Sequence, residues 1–240
     1  EAALAAFRDS GSVSEVRRVS GRSDARTAIS GGVSVVLDDL SLLADVGLDV
    51  LVDCTGAPDV GAKLAKVAAA GGSDLVMVNV EADATVGAEA AALVERAGGV
   101  YTLADGDQPS LLVGLSDWAA GLGFEVVTVG KWTDSYSTPE ADAILSHWKS
   151  QGKAIKESDL TYLDGTKAQL EMASTANCLG FGCDTPGMHG KSLGLSDIPE
   201  RLRSGTKRNG TERSGPEGSD TERSVLSKEG TVEYVNCTGL

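Results

Sequence analysis

Aromatic side chains are scarce in this sequence, at 4% of 240 residues. A core built without them must be filled by Ala, Val, Leu and Gly, which suits helices packed closely on a sheet. No apolar run of about 18 residues and no charged-then-apolar leader is present, so no membrane or export route is read. Cys54, Cys178, Cys183 and Cys237 form no C-x-x-C pair, which points to reduced thiols in a cytoplasmic compartment. Positive charge is also short: 21 Lys and Arg face 35 Asp and Glu, for a net charge of -14 and a pI near 4.5. A phosphate backbone needs a clustered basic surface, so nucleic acid is excluded as a partner. The acidic balance fits either salt adaptation or ordinary solubility by charge. Missing too is G-x-G-x-x-G between a strand and a helix, the usual cradle for a dinucleotide pyrophosphate. Gly121 to Phe124 reads G-L-G-F, but it follows a helix and precedes a strand, so it is a helix stop.

Hydrophobic residues make up 41% of the chain, enough for a real core in one large or two small domains. Glu1 to Arg8 reads as the end of an Ala-rich helix, so the chain is expected to be a fragment. A short strand is expected around Val13–Val19, another over Val33–Leu37, a short helix over Asp39–Val46, and a buried strand over Val50–Asp53. A tight turn at Cys54–Pro58 leads into a helix with Val60, Leu64 and Val67 on one face, closed by Gly71 and Gly72. The apolar run Leu75–Val78 is the next buried strand, followed by a helix from about Ala88 to Ala97 and a strand over Val100–Leu103. Strand and helix alternate as in right-handed crossovers of a parallel sheet. The fold class is therefore α/β: a Rossmann-like parallel sheet without its first strand and glycine loop, then an α+β substrate and dimerisation region.

Ligands gather at the carboxyl edge of such a sheet. Three strands end there in polar residues: Asp53-Cys54-Thr55-Gly56, Asn79-Val80-Glu81-Ala82-Asp83, and Asp105-Gly106-Asp107-Gln108-Pro109. Three aligned ends point to a site. Further on, a helix is expected over Leu112–Ala120, a strand over Glu125–Val129 leading into Gly130-Lys131, a polar segment over Trp132–Glu140, and a helix over Ala141–Lys149. Asp164-Gly165-Thr166-Lys167 opens another helix, on which Lys167, Glu171 and Ser174 share a face with Cys178 or Asn177. Alone, Lys167 and Glu171 read as an i, i+4 ion pair of a few tenths of a kcal/mol. His147 and His189 read as incidental.

The series MVNVEADATVG, YTLADGDQPS, WAAGLGFEVVTVGK and LDGTKAQLEMASTANCLG, spread over roughly Val50 to Pro186, resembles the homoserine-dehydrogenase-like oxidoreductases with a C-terminal SAF domain. That family includes the enzymes acting on 1-deoxy-D-xylulose 5-phosphate in isoprenoid synthesis. The resemblance implies a partial NAD(P)-binding domain over 1–110 and a substrate-binding, dimerising region over 111–200. A mobile low-complexity loop over 201–230 and a segment over 231–240 leading toward a SAF domain would follow. It places Cys54, Thr55, Gly56, Asn79 and Glu81 beside NADP or NAD. It assigns catalysis to Lys131, Asp164, Lys167 and Glu171, with the lysines as compact cations against a substrate phosphate or carboxylate. Glu81, Asp83 and Asp107 are the candidate ligands for a divalent metal, Mg or Mn. The expected partners are a small-molecule substrate and further copies of the chain. A second reading, a non-catalytic nucleotide-binding or assembly module, rests on the missing glycine loop.

Overall fold

The computed structural model describes residues 2–11, 15–136, 138–155, 157–203 and 224–238. The chain divides into two compact units, Glu1–Ala104 and Asp105–Leu240. The expected low-complexity loop falls mostly on 204–223 and lies outside the described residues. The fold is α/β with parallel sheets, Rossmann-like in its alternation of strand and helix.

The first unit opens with α1 (Ala2–Ser10). Strand β1 (Val16–Val19), helix α2 (Arg22–Ser30) and strand β2 (Ser34–Leu37) follow, the strands pairing in parallel. A 3-10 turn, Leu40–Asp45, is capped by the Asp39 carboxylate accepting from the Ser41 amide. Then come β3 (Val50–Asp53), α3 (Pro58–Gly71), β4 (Asp74–Met77), α4 (Val80–Arg96) and β5 (Tyr101–Leu103). Strands β3, β4 and β5 form a parallel sheet in that order, and among the described residues no ladder joins it to the β1–β2 pair.

Strands alternate their side chains between two faces, and here only one face is buried. Leu51, Leu75 and Met77 meet Leu64, Ala65, Ala68, Ala90 and Val94 from α3 and α4, while Val50 and Val52 stay about half exposed. The β3 strand expected to be buried is therefore buried on one side only. Small residues let the helices close up: a Cβ on Gly61 of α3 would lie 2.4 Å from that of Ala82 in α4. This is the close helix packing that the shortage of aromatics implied.

Helix α4 starts eight positions ahead of the expected Ala88, at Val80. The Asn79 side chain accepts from the Ala82 amide at 3.0 Å, which is an N-cap. Glu81 and Asp83 then sit in the first turn, where the helix dipole favours carboxylates.

The second unit contains α5 (Gln108–Gly121), β6 (Thr128–Thr133), α6 (Thr138–Ser150), α7 (Glu157–Leu163) and α8 (Thr166–Leu179). Short strands β7 (Gly182–Cys183) and β8 (Lys191–Gly194), helix α9 (Ile198–Arg201) and strand β9 (Thr231–Thr238) complete it. The strand expected over Glu125–Val129 begins instead at Thr128 and runs on to Thr133, because β9 pairs with all six of its residues. Gly130 permits the approach: a Cβ there would stand 2.6 Å from the Glu233 carbonyl oxygen. Strand β9 is central, with β6 on one edge and β7 and β8 on the other, all parallel. Helix α8 packs Ala168, Met172 and Ala176 against Val232 and Tyr234 of β9.

Candidate functional site

At the carboxyl end of β3, Asp53 is fully buried and spends both oxygens on the turn that follows. Its Oδ1 accepts from the Thr55 amide at 2.9 Å and the Thr55 hydroxyl at 2.7 Å, and its Oδ2 from Asn79 Nδ2 at 2.9 Å. The same Asn79 nitrogen reaches the Ala57 carbonyl at 2.9 Å. Buried polar groups are tolerated when partnered in this way. The result is a fixed turn in which Cys54, Thr55 and Gly56 are exposed, at the sheet edge where α/β folds take ligands. Asn79 is the anchor of that turn.

Two of the three candidate metal ligands, Asp83 and Asp107, have hydrogen-bond partners within the protein. Asp83 is buried and accepts from the Tyr101 hydroxyl at 2.6 Å. Asp107, in the second unit, caps α5 by accepting from the Gln108 amide at 2.9 Å. Among the described residues no group of three His, Cys, Asp or Glu side chains is placed to hold a metal ion.

In the second unit the structure brings together Lys131 and Glu171. The Lys131 ammonium of β6 pairs with the Glu171 carboxylate of α8, and both are largely buried, 16% and 4% exposed. Glu171 therefore takes a partner from a neighbouring strand instead of the i, i+4 pairing with Lys167 that the helix pattern suggested. Lys167 lies one turn earlier on α8, half-buried. Asp164 is exposed and accepts from the Thr166 amide at 2.9 Å, opening α8.

His189, which sequence reasoning set aside, lies between two acids. Its Nδ1 is 2.8 Å from Glu233 Oε2, and its Nε2 is 3.6 Å from Asp184 Oδ2. Glu233 is 1% exposed and also accepts from the amides of His189, Gly190 and Tyr234 at 3.0, 3.2 and 3.0 Å. These amides face the gap between β7 and β8 along β9, and the carboxylate fills it. Hydrogen bonds from the Ser227 hydroxyl and amide hold Asp184 below the usual carboxylate range, outweighing burial, with His189 adding to the effect. Burial pushes the Cys183 thiol up, and the Glu233 charge adds to that; it is not an activated nucleophile. An H-G pair before a short strand was the one available signal for this cluster.

This second unit is also where a family profile applies. Oxidoreductase DRL, catalytic domain, matches residues 106–240, more than half of the chain. The chain belongs to the DRL oxidoreductase family. No curated protein matches it. The DRL catalytic region thus spans α5 through β9 and contains the Lys131–Glu171 pair, Lys167 and the His189–Glu233 cluster. Among the described residues no helix is long and apolar enough to cross a membrane.

Proposed function

We propose that this DRL protein is an NAD(P)-dependent oxidoreductase. Its substrate is a small hydroxy-carbonyl compound bearing a phosphate or carboxylate, in the manner of the 1-deoxy-D-xylulose 5-phosphate reductoisomerase-like enzymes. The observation that carries the proposal is the buried Lys131–Glu171 pair inside the catalytic region. Desolvating two charges is costly unless the geometry is used. The bound nicotinamide supplies the hydride. Lys131 presents its positive charge to the substrate oxygen on which negative charge develops, and Glu171 fixes the ammonium in place. Lys167 meets the substrate's anionic end.

The first unit supports the cofactor. Its strands pair as β2-β1 and as β3-β4-β5, two runs that match the 3-2 and 4-5-6 parts of the doubly wound order 3-2-1-4-5-6. The exposed turn Cys54–Gly56 then borders the point where that order reverses. At the carboxyl end of β1 the chain reads Ser20-Gly21-Arg22-Ser23, and Gly21 caps α2 without a side-chain bond. Arg22 pairs with Asp45 at 2.5 Å, and Arg18 with Asp38 at 2.9 Å. A basic residue at this strand end favours the 2′-phosphate of NADP, where an acidic one would favour NAD.

Other finer readings join the proposal: a SAF domain beyond the catalytic region, a place in isoprenoid synthesis, and a cytoplasmic setting, which the absence of a disulfide at Cys54, Cys178 and Cys183 favours. A homo-oligomer is proposed as well, supported by the exposed Leu111, Leu115 and Trp118 of α5 and its C-cap Leu122, which follow the 4-3-4 spacing of a helix seam.

The experiment is to titrate NADPH and NADH into the full-length protein while following nicotinamide fluorescence, then to assay hydroxy-carbonyl substrates. Saturable binding with turnover is expected. An unchanged signal with both nucleotides would overturn the proposal.

A further inference from the structure

His189 is a titratable group of the second unit that the proposed reaction leaves unused, and the chain is bent sharply to place it. It sits between β7 and β8, in the loop Thr185-Pro186-Gly187-Met188-His189-Gly190. Three of these residues have a left-handed backbone, Gly187 at φ 77°, Met188 at φ 64° and Gly190 at φ 55°. Among the described residues Met188 is the only one other than glycine with a positive φ. Such strain persists where the surroundings hold it, and it gathers at working sites.

Glu233 does the holding. It accepts from the amides of His189, Gly190 and Tyr234 and lies 2.8 Å from His189 Nδ1. A carboxylate that accepts from three amides offers the ring only an acceptor, so Nδ1 carries a proton and donates it. The other nitrogen is left for a different task. Nε2 stands 3.6 Å from Asp184 Oδ2, beyond hydrogen-bond reach, and the His189 side chain keeps 21% of its surface exposed. Asp184 is engaged at its Oδ1 by the Ser227 hydroxyl and amide. The remaining charged or titratable groups about the ring are Cys183 and Lys228, and Lys228 acts on both Cys183 and Asp184.

The loop lies on the α8 side of the sheet. A Cβ on Gly187 would stand 3.4 Å from Gln169 Oε1 of α8, and Met188 packs on the core cluster that α8 forms with β9. The Lys131–Glu171 pair joins β6 to α8, and Lys131 is opposite Tyr234 in the β6–β9 register. The tip of Tyr234 in turn abuts Gly190. Lys131 and His189 therefore flank β9 from its two neighbouring strand positions, with backbones about 10 Å apart at two strand spacings. Side chains of that length reach one small molecule from both sides.

We propose that His189 is the general acid of the reduction, giving its Nε2 proton to the substrate oxygen whose developing charge Lys131 stabilises. This assignment rests on the oxidoreductase reading. The carbonyl carbon gains hydride from the reduced nicotinamide, and the C=O π pair moves onto oxygen. That oxygen takes the Nε2 proton, which leaves the hydroxyl product and a neutral imidazole. Water returns the proton to the ring, and in the oxidising direction Nε2 acts as the base. Glu233 is a positioning residue, since its bond to Nδ1 fixes the ring and its tautomer.

The test reads a tautomer and a rate. In protein carrying isotope-labelled histidine and no substrate, nitrogen NMR should show the neutral His189 ring with its proton on Nδ1 and Nε2 bare, the signal being assigned by its loss in His189→Asn. That variant keeps an amide donor for Glu233 and lacks Nε2. It should bind NADPH like the wild type and reduce a hydroxy-carbonyl substrate, 1-deoxy-D-xylulose 5-phosphate being the first probe, with kcat about 100-fold lower and KM little changed. Wild-type reduction should slow as pH rises and His189 loses its proton, and the variant should lack that dependence. A neutral ring protonated on Nε2, or wild-type kcat in the variant, overturns the assignment. Should the variant unfold, the tautomer and the wild-type pH profile decide, and a rate that does not fall with rising pH removes the role. Failure of the two ideas looks different: wild-type protein that oxidises neither NADPH nor NADH ends the oxidoreductase reading and this role with it, whereas unimpaired turnover in the variant removes His189 and keeps the reaction.

Discussion

Glu233 holds His189 at both ends of the residue, accepting from its backbone amide at 3.0 Å and lying 2.8 Å from its ring Nδ1. The carboxylate also takes the Gly190 and Tyr234 amides, so it substitutes for the ladder missing between β7 and β8. Replacing it with an amide puts a donor where only acceptors serve. Glu233→Gln should lose about 2–3 kcal/mol of stability by urea unfolding, and an unchanged midpoint would show that the gap is held by something else.

The Lys131–Glu171 pair makes a prediction with an internal control. Removing one partner strands the other charge in a buried place, at a cost of about 3–5 kcal/mol. Lys131→Met and Glu171→Met should each be markedly destabilised, and the double variant less so than the sum of the two. All three should lose turnover. A double variant that retains activity would contradict the role given to Lys131.

Lys167→Ala should fold normally and turn over more than tenfold more slowly. Circular dichroism with a kcat measurement checks both halves, and wild-type turnover would refute the role.

Much of the chain's organisation is legible from residue order alone. Helix α3, with Val60, Leu64 and Val67 on one face and Gly72 as its left-handed stop, follows from local rules. The start of α4 was legible too: an Asn before carboxylates is a capping signature. It was obscured because the same residues sit at the carboxyl edge of β4, where a site was expected. The partner of Glu171 was not legible, since Lys131 is 40 residues away and only the strand pairing delivers it. Nor was the central position of β9, because a lone apolar strand carries no mark of which edges it joins.

Asp184 gives a pH signature. Its carboxyl is held below the ordinary value, chiefly by the Ser227 hydroxyl. The folded state therefore gains stability that is full above the unfolded carboxylate value of about 4 and is lost as pH falls through the lower folded value. Wild type should exceed Asp184→Asn by a constant margin near neutrality, and the margin should shrink in acid below about pH 4. A margin that stays flat down to pH 2 would reject the linkage.

Arg22→Ala should weaken NADPH binding by about tenfold while NADH binding changes little, measured by nicotinamide fluorescence. Equal losses for both nucleotides would show that the 2′-phosphate is not read there.

The central place of β9 also sets a timetable. Ser135, just past the end of β6, bonds to Asn236, 101 residues further along the chain. A ribosome adding about 5–20 residues per second needs roughly 5–20 s between them. Until then β6, and β7 and β8 once they are made, lack the strand they pair with, whereas β3, β4 and β5 have already formed the ladders seen among the described residues. During synthesis the first unit is free to fold early, and the catalytic region waits for β9.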